Sequence, residues 1–455
     1  MINKRLIIVL LTFSSLVLNV ISPFYLVHAQ QGTPSVNNSL VPEKVDNKTP
    51  EAERTTNFSI SDRQPEVVDP NLKVELVVDG LKRSTNMEFL GPNDIVVLDK
   101  NLGTVQRIMN GTIQEEPLLD VPVSYKMDRG MMSIAVSRNE TNKSTYVFLF
   151  YTESATGKDE YAYDSALANR VYRYDFKDNK LTNPKLLLNI TAESTDDSGM
   201  HNGGKILIGP DGNLYVTVGD LHEHRTTSQN NQTGPPPDGT SVIYRITQDG
   251  KPAVDNPFGK NVTTEKFYAY GIRESFGMDF DPLSKKLWDT ENGADYGDEI
   301  NLVSPGFNSG WKRQQGFIVD SFYPDNFVNL GEIGNGGRYS DPEFVWNLPV
   351  GPTALKFLTS DELGGQYRND MFVGEVNTGS LYHFELNDER TKLILYTPLA
   401  DRIANNMEEL QKIIFGRYFG GITDIKEGPD HFLYVLNYGG QIWRIVPKIS
   451  NNIDG

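Results

Sequence analysis

Two glycine-containing segments carry side chains that could bind a ligand and move a proton. His201 lies in the run 200–205 (MHNGGK), directly before a strand-like stretch, and histidine is a residue type that often serves as a general acid or base. Arg273 and Glu274 lie in the segment 271–277, between two glycines. A fixed guanidinium can hold an anionic ligand or a developing oxyanion, and glycines let the backbone approach a ligand closely. A surface loop histidine and a solvated turn are the alternative interpretations, and these residues alone leave both open.

A third segment, Thr290–Asn301, concentrates acidic side chains between glycines. Its carboxylates are those of Glu291, Asp295, Asp298 and Glu299. Oxygen ligands of this kind suit a hard cation such as Ca²⁺, although the spacing is not that of an EF-hand. A charged surface turn is an equally good interpretation of the same residues.

The elements that must position these residues follow one repeated pattern. A turn with glycine, proline and asparagine or aspartate leads into a run of β-branched and aromatic residues, with clear copies beginning at Phe89, Ile208 and Glu427. Such a unit is typical of a β-hairpin. Hairpins repeated around a ring indicate a β-propeller, in which radial packing leaves few exposed edges. We therefore predict an all-β fold, a six-bladed β-propeller of four-stranded antiparallel blades.

The composition excludes several classes of protein. The 455 residues carry a net charge of −17 and include no cysteine. Without cysteine the chain can form no disulfide, thiolate metal site, iron–sulfur cluster or cysteine nucleophile. The negative charge argues against a nucleic-acid partner, because such proteins present a basic surface.

The N-terminus predicts export. Lys4 and Arg5 precede the apolar run 6–21, and residues 27–29 resemble a signal-peptide cleavage site. We expect an extracellular, cell-surface or periplasm-like location, with no integral membrane domain after removal of the signal; a retained anchor is the alternative. The polar stretch that follows has too few large apolar residues to fold. The predicted boundaries are 1–29 for the signal peptide, 30–67 for a flexible linker, 68–447 for the propeller and 448–455 for a C-terminal tail.

Taken together, four stretches of the chain resemble the soluble glucose/sorbosone dehydrogenase family. They are 201–220, 249–258, 270–277 and 291–311. The resemblance implies a six-bladed propeller that uses pyrroloquinoline quinone and Ca²⁺. It also implies a sugar substrate, an aldose whose C1 hydroxyl is oxidised to a lactone, with electrons passing to a separate acceptor.

The resemblance also assigns roles to individual residues. His201 matches the base that takes the proton from the sugar, Asp220 the carboxylate that orients it, and Arg273 the cation that steadies charge on the quinone oxygen. The backbone carbonyls of Gly293 and Ala294 match those that hold the cofactor's Ca²⁺.

The positions that would contact the quinone differ from the family pattern. Matched by the resemblance, they are Asp128, Arg129, Glu274, Asn377 and Thr423. Asn377 is found where the family has a lysine, and Glu274 where it has an asparagine. Thr423 takes the place of an arginine in the family's Arg-x-Arg pair. A tricarboxylate cofactor therefore meets fewer cations here. The alternatives are a carbohydrate- or protein-binding propeller without redox chemistry, and a different reaction such as metal-dependent lactone hydrolysis.

Overall fold

Short antiparallel strands make up most of the regular structure of the chain. The computed structural model describes residues 63–139, 143–193, 198–222, 225–317 and 337–448. The predicted signal peptide, most of the predicted linker and nearly all of the predicted tail lie outside the described residues. None of the helices within those ranges has the length and apolar character needed to cross a membrane. The α-helix found there, α1, spans Met407–Leu410.

The described strands share the β-branched and aromatic character predicted from the sequence. In chain order they are β1 (Glu66–Val67), β2 (Leu72–Val78), β3 (Ser84–Gly91), β4 (Asp94–Asp99), β5 (Thr104–Met109), β6 (Thr112–Ile113), β7 (Leu119–Asp120), β8 (Met131–Asn139), β9 (Ser144–Ser154), β10 (Ala166–Lys177), β11 (Lys180–Ile190), β12 (Gly203–Ile208), β13 (Leu214–Val218), β14 (Val242–Ile246), β15 (Phe267–Tyr270), β16 (Ser275–Phe280), β17 (Leu287–Glu291), β18 (Asp298–Val303), β19 (Phe307–Asn308), β20 (Arg338–Tyr339), β21 (Phe344–Trp346), β22 (Pro352–Phe357), β23 (Met371–Glu375), β24 (Leu381–Phe384), β25 (Ile403–Ala404), β26 (Ile414–Arg417), β27 (Ile422–Glu427), β28 (Leu433–Asn437) and β29 (Ile442–Pro447).

The described strands pair into six sheets. Their strand orders are β2-β29-β28-β27, β3-β4-β5-β6 with β7 also on β5, β11-β10-β9-β8, β12-β13-β14-β15-β19-β20, β16-β17-β18-β21-β25 and β1-β26-β24-β23-β22. Most neighbours are antiparallel, and the parallel pairs involve the short strands β19, β20, β21 and β25. The fold is therefore an all-β propeller arrangement, as predicted.

One strand of each sheet faces the axis of this arrangement. The strands β3, β8, β12, β16, β22 and β27 contact one another in that order, and β27 contacts β3 again. β2 pairs with β29, with Leu72 opposite Pro447, so the two ends of the described chain share a sheet. Radial packing of this kind leaves few unpaired edges.

The prediction of four strands in every sheet is wrong. Two sheets have four strands, three have five and one has six. The additional strands are two or three residues long and join the outer edges, where nothing in a repeated hairpin pattern specifies a partner. One of them, β1, lies in the predicted linker, and Glu66 pairs with Arg417.

Strands begin after turns of the kind that the sequence predicted, as the turn between β12 and β13 shows. In the turn after β12, Gly209 donates its amide to the carbonyl of Asn213 at 2.9 Å. Gly212 has a φ of +74° there, a left-handed conformation that favours glycine. The Asp211 carboxylate accepts the amide of Asn213 at 3.1 Å, which is an Asx-type turn.

Candidate functional site

The residues predicted to handle the proton come from two neighbouring sheets. His201 precedes β12, Asp220 follows β13, and Arg273 precedes β16. Since β12 and β13 are antiparallel, the start of one and the end of the other lie at the same end of the sheet. β16 packs beside β12, so the three side chains meet at one mouth of the propeller.

His201 lies at the centre of this cluster and is buried. Its Nδ1 lies 2.7 Å from Oδ1 of Asp220, and its Nε2 lies 2.9 Å from Nη2 of Arg273. A carboxylate only accepts and a guanidinium only donates, so these partners assign the proton to Nδ1. Nε2 then carries the lone pair of a neutral imidazole, as a general base requires.

Asp220 is held by three donors. Besides His201, its carboxylate accepts the backbone amide of His222 at 2.9 Å and the indole Nε1–H of Trp311 at 2.6 Å. The ring of Trp311 also lies beneath the guanidinium of Arg273, 5.2 Å from its carbon to the ring centre. Trp311 was not predicted from the sequence as a site residue, although it ends the last of the four resembling stretches.

Arg273 is positioned by residues at the end of β17. Its backbone amide donates to Oε1 of Glu291 at 2.8 Å, and its Nη1 donates to the carbonyl of Asn292 at 2.8 Å. The other oxygen of Glu291 accepts the hydroxyl of Ser309 at 2.7 Å. Glu291 therefore fixes the arginine, and each of its two oxygens already accepts a hydrogen bond.

The carboxylates predicted to bind a metal are not gathered into one site. Asp298 accepts three backbone amides, including that of Gly293 at 2.8 Å, and Glu299 accepts the amide of Gly316. Asp295 is exposed on the loop between β17 and β18. Among the described residues no cluster of three acidic or histidine side chains could hold a metal ion. The acidic pattern instead serves mainly to bind backbone amides.

The same loop carries the two carbonyls matched to Ca²⁺ ligands. A side chain at Gly293 would place its Cβ 2.1 Å from the carbonyl oxygen of Tyr296, so only glycine fits. Ala294 is exposed, and its amide donates to Oε1 of Gln315 at 3.3 Å. Gly293 is half-buried and Ala294 is exposed, so this part of the loop reaches the surface.

The predicted cofactor-binding residues divide into two groups. Asp128 reaches the cluster, because its carboxylate accepts the amide of His201 at 2.7 Å, and Glu274 lies beside the imidazole. Arg129 instead donates to the backbone carbonyl of Tyr163 at 2.8 Å. Two further positions carry no charge: Asn377 is exposed after β23, and Thr423 lies on β27.

Several buried polar atoms around His201 have no hydrogen-bond partner among the described residues. They are Nε of Arg273, Oε1 of Glu274 and Oδ1 of Asn292. Buried polar atoms are normally satisfied by protein, water or a ligand. Their concentration beside a histidine in base-competent form fits the binding of a polar group at this mouth.

Two buried carboxyl groups on β17, those of Asp289 and Glu291, have raised pKa values. Burial raises the pKa of Asp289 to about 7. Burial, reinforced by the charge of Asp289, raises the pKa of Glu291 to about 8. At any pH between the pKa of such a carboxyl in the unfolded chain and its higher pKa in the folded chain, the folded chain holds more protons than the unfolded chain does. Stability from these groups is therefore largest at acidic pH and falls as pH rises from about 4 to 8.

We expect Asp289→Asn to flatten this pH dependence. Between pH 5 and 8 the Asp289 carboxyl alone should lower the free energy of unfolding of the wild type by roughly 2–3 kcal/mol, since its pKa of about 7 lies two units above pH 5 and one pKa unit corresponds to about 1.4 kcal/mol. The variant should lose much of that fall, as measured by urea denaturation at each pH. Asp295→Asn, at an exposed position of the same segment, is the control and should follow the wild type. Identical slopes for all three proteins would contradict the assignment.

Comparison with known proteins places this site in a defined family. The sequence profile described as Glucose / Sorbosone dehydrogenase matches residues 81–444. The aldose sugar dehydrogenase YliI of Escherichia coli is 24% identical over 388 residues, covering 83% of this chain and 93% of that protein.

Solved structures show the same fold. The soluble aldose sugar dehydrogenase of Escherichia coli in its apo form has a TM-score of 0.65 at 23% identity, over 83% of this chain and all of that one. The aldose sugar dehydrogenase of Streptomyces coelicolor, in a form bound to pyrroloquinoline quinone, has a TM-score of 0.59 at 21% identity. That comparison covers 85% of this chain and 98% of the other.

Proposed function

The chain belongs to the glucose/sorbosone dehydrogenase family, and on that premise we propose that it oxidises the C1 hydroxyl of an aldose to a lactone. The observation that carries this proposal is the triad formed by the buried Asp220 and His201 and the half-buried Arg273, in which Nε2 of the imidazole holds the free lone pair. The substrate hydroxyl displaces the hydrogen bond from Arg273 and donates to that nitrogen.

The three side chains of the triad have different roles in the reaction. His201 accepts the hydroxyl proton, and Asp220 stabilises the imidazolium that forms, as the carboxylate does in other His–Asp pairs. Arg273 remains beside the reacting centre, where its positive charge stabilises negative charge as it develops. Trp311 holds both Asp220 and the guanidinium, through a hydrogen bond to one and ring contact with the other.

The oxidation needs an electron acceptor, and we propose pyrroloquinoline quinone, with Ca²⁺ held by the carbonyls of Gly293 and Ala294. When bound, this cofactor would accept the C1 hydrogen together with the two electrons of its bond, and these electrons would then leave to a separate acceptor. Arg273 and the unpartnered atoms around it fit a polar, anionic group. The uncharged Asn377 and Thr423 supply no further cation, so we expect weaker binding than in a site with several cations.

The proposal is tested by dye reduction. The purified protein, reconstituted with pyrroloquinoline quinone and Ca²⁺, should reduce an artificial electron-accepting dye when an aldose is added. Protein without the quinone is the control. Absence of turnover across hexoses, pentoses and disaccharides, at quinone concentrations that saturate a binding titration, would contradict it.

We expect ligand binding to stabilise the fold. Ca²⁺ and quinone together should raise the melting temperature by a few degrees, because a ligand that binds only the folded chain at about 100 times its Kd adds about 2.7 kcal/mol. Chelation should reverse the shift, as followed by differential scanning fluorimetry. Mg²⁺ at the same concentration should have less effect, since it requires a smaller octahedral site. A melting temperature that neither Ca²⁺ nor the quinone changes would contradict the proposed metal and cofactor.

A binding function without redox chemistry is the second candidate. The uncharged Asn377 and Thr423 favour it, because both stand where the family places cations. Under this alternative a carbohydrate or protein would occupy the mouth beside His201, and a sugar would bind without dye reduction.

The blade number, the location and the boundaries belong to the same proposal. We propose that each of the six sheets is one blade, which the closed ring of axis-facing strands supports. We also propose export through residues 1–29, with the propeller over 68–447. Mass spectrometry of the secreted protein would identify the mature N-terminus.

A further inference from the structure

Two carboxyl groups from different sheets meet beside His201. Oε2 of Glu274 lies 3.9 Å from Nε2 of the imidazole, and its side chain is 8% exposed. Asp128, in the segment before β8, binds the backbone amide of His201 and lies within hydrogen-bonding reach of Glu274. The quinone proposed above is an anion, and it would have to approach these two carboxyl groups.

Two ionised carboxylates in contact have no hydrogen-bond donor between them. Oε1 of Glu274 is buried without a partner among the described residues, which is costly for a charged oxygen. A single proton would turn the contact of Glu274 with Asp128 into a hydrogen bond. It would also remove one of two like charges, as in other carboxyl pairs that share a site.

The surroundings of Glu274 favour retention of that proton. Burial, followed by the negative charge of Asp128, raises the pKa of Glu274 well above its usual range, and Asp220 acts in the same direction. Arg273 opposes them with its positive charge. His201, neutral in the tautomer assigned above, also faces the carboxyl.

We propose that Glu274 and Asp128 share one proton, that the pair therefore carries a single negative charge, and that loss of this proton at alkaline pH excludes anionic ligands from the mouth. Protonated Glu274 is then a neutral group, as the asparagine expected at this position would be. The effect on ligands rests on the proposed function, because the ligand is its quinone. The sharing of the proton requires no ligand.

The shared proton can be measured without any ligand. In infrared spectra at pH 7, the difference between the wild type and Glu274→Gln should contain the carbonyl stretch of a protonated carboxylic acid. Asp128→Asn should also remove that band, because the asparagine amide can donate to an ionised Glu274. The exposed Glu116→Gln is the control and should leave the band unchanged. Absence of the band from the wild-type minus Glu274→Gln difference would overturn the proposal.

Ligand binding supplies a second readout. The affinity of the wild type for pyrroloquinoline quinone in the presence of Ca²⁺, measured by spectroscopic titration, should fall about tenfold for each pH unit above the pKa of the pair. The affinity of Glu274→Gln, which keeps the shape and stays neutral, should change less than about threefold between pH 7 and pH 9. Parallel loss of affinity in the two proteins would overturn the proposal.

The two readouts separate this inference from the proposed function. If neither protein binds quinone at any pH, the proposed cofactor is wrong, and the infrared difference still decides whether the proton is shared. If quinone binds with the same pH dependence in both proteins, the cofactor stands and the shared proton does not.

Discussion

Replacement of His201 by asparagine should lower kcat for aldose oxidation by roughly 10²–10⁴-fold, the range that follows loss of a general base. His201 has a φ of +55°, a left-handed conformation that asparagine tolerates better than alanine does. The asparagine variant therefore removes the base with little backbone strain. KM for the sugar should change much less than kcat, as measured by steady-state dye reduction.

His431 offers a matched control. It has a φ of +66° and its side chain is 63% exposed, so His431→Asn makes the same change in the same backbone region away from the mouth. This variant should keep the activity of the wild type. If His201→Asn turned over as fast as His431→Asn, another group would have to be the base.

Replacement of Asp220 by asparagine should lower kcat by roughly 10²–10⁴-fold, because a neutral amide cannot stabilise the imidazolium that forms on His201. In either orientation the amide also turns an N–H group towards a donor, which is His201 with the amide of His222, or else the indole of Trp311. In the first orientation the ring proton of His201 moves to Nε2, which then has no lone pair for the proton of the substrate hydroxyl. The loss should persist across the pH range, as measured from the pH profile of kcat.

A second His–Asp pair in the chain provides the control. Nε2 of His383 lies 2.8 Å from Oδ2 of Asp370, which is also buried. Asp370→Asn should cost stability of similar size and leave kcat unchanged. Equal activity losses in Asp220→Asn and Asp370→Asn would mean that the effect is one of folding.

The sequence predicted the parts of the fold that depend on local chemistry. The turn at 209–213 is specified by a glycine, a proline and an aspartate within five residues, so its strands could be placed. The short outer strands could not be placed, because β25 is added by parallel pairing to β21, almost sixty residues earlier, and no local pattern encodes that contact.

The site was predictable where residue type determines the role. His201 and Asp220 lie in one stretch that resembles the family, and they do meet in the structure. Asp298 shows the limit, because a carboxylate that binds backbone amides and one that binds a metal look alike in sequence. Trp311 was not assigned because only the folded chain brings its indole to Asp220.

The most direct test of the account uses a sugar deuterated at C1. The reconstituted protein should reduce dye with the unlabelled aldose and do so several-fold more slowly with the deuterated one, because the C1–H bond breaks in the oxidation. The lactone should appear in equal amount to the two-electron dye reduction. A sugar that binds at the mouth without reducing dye, or turnover that leaves C1 unoxidised, would contradict the central claim.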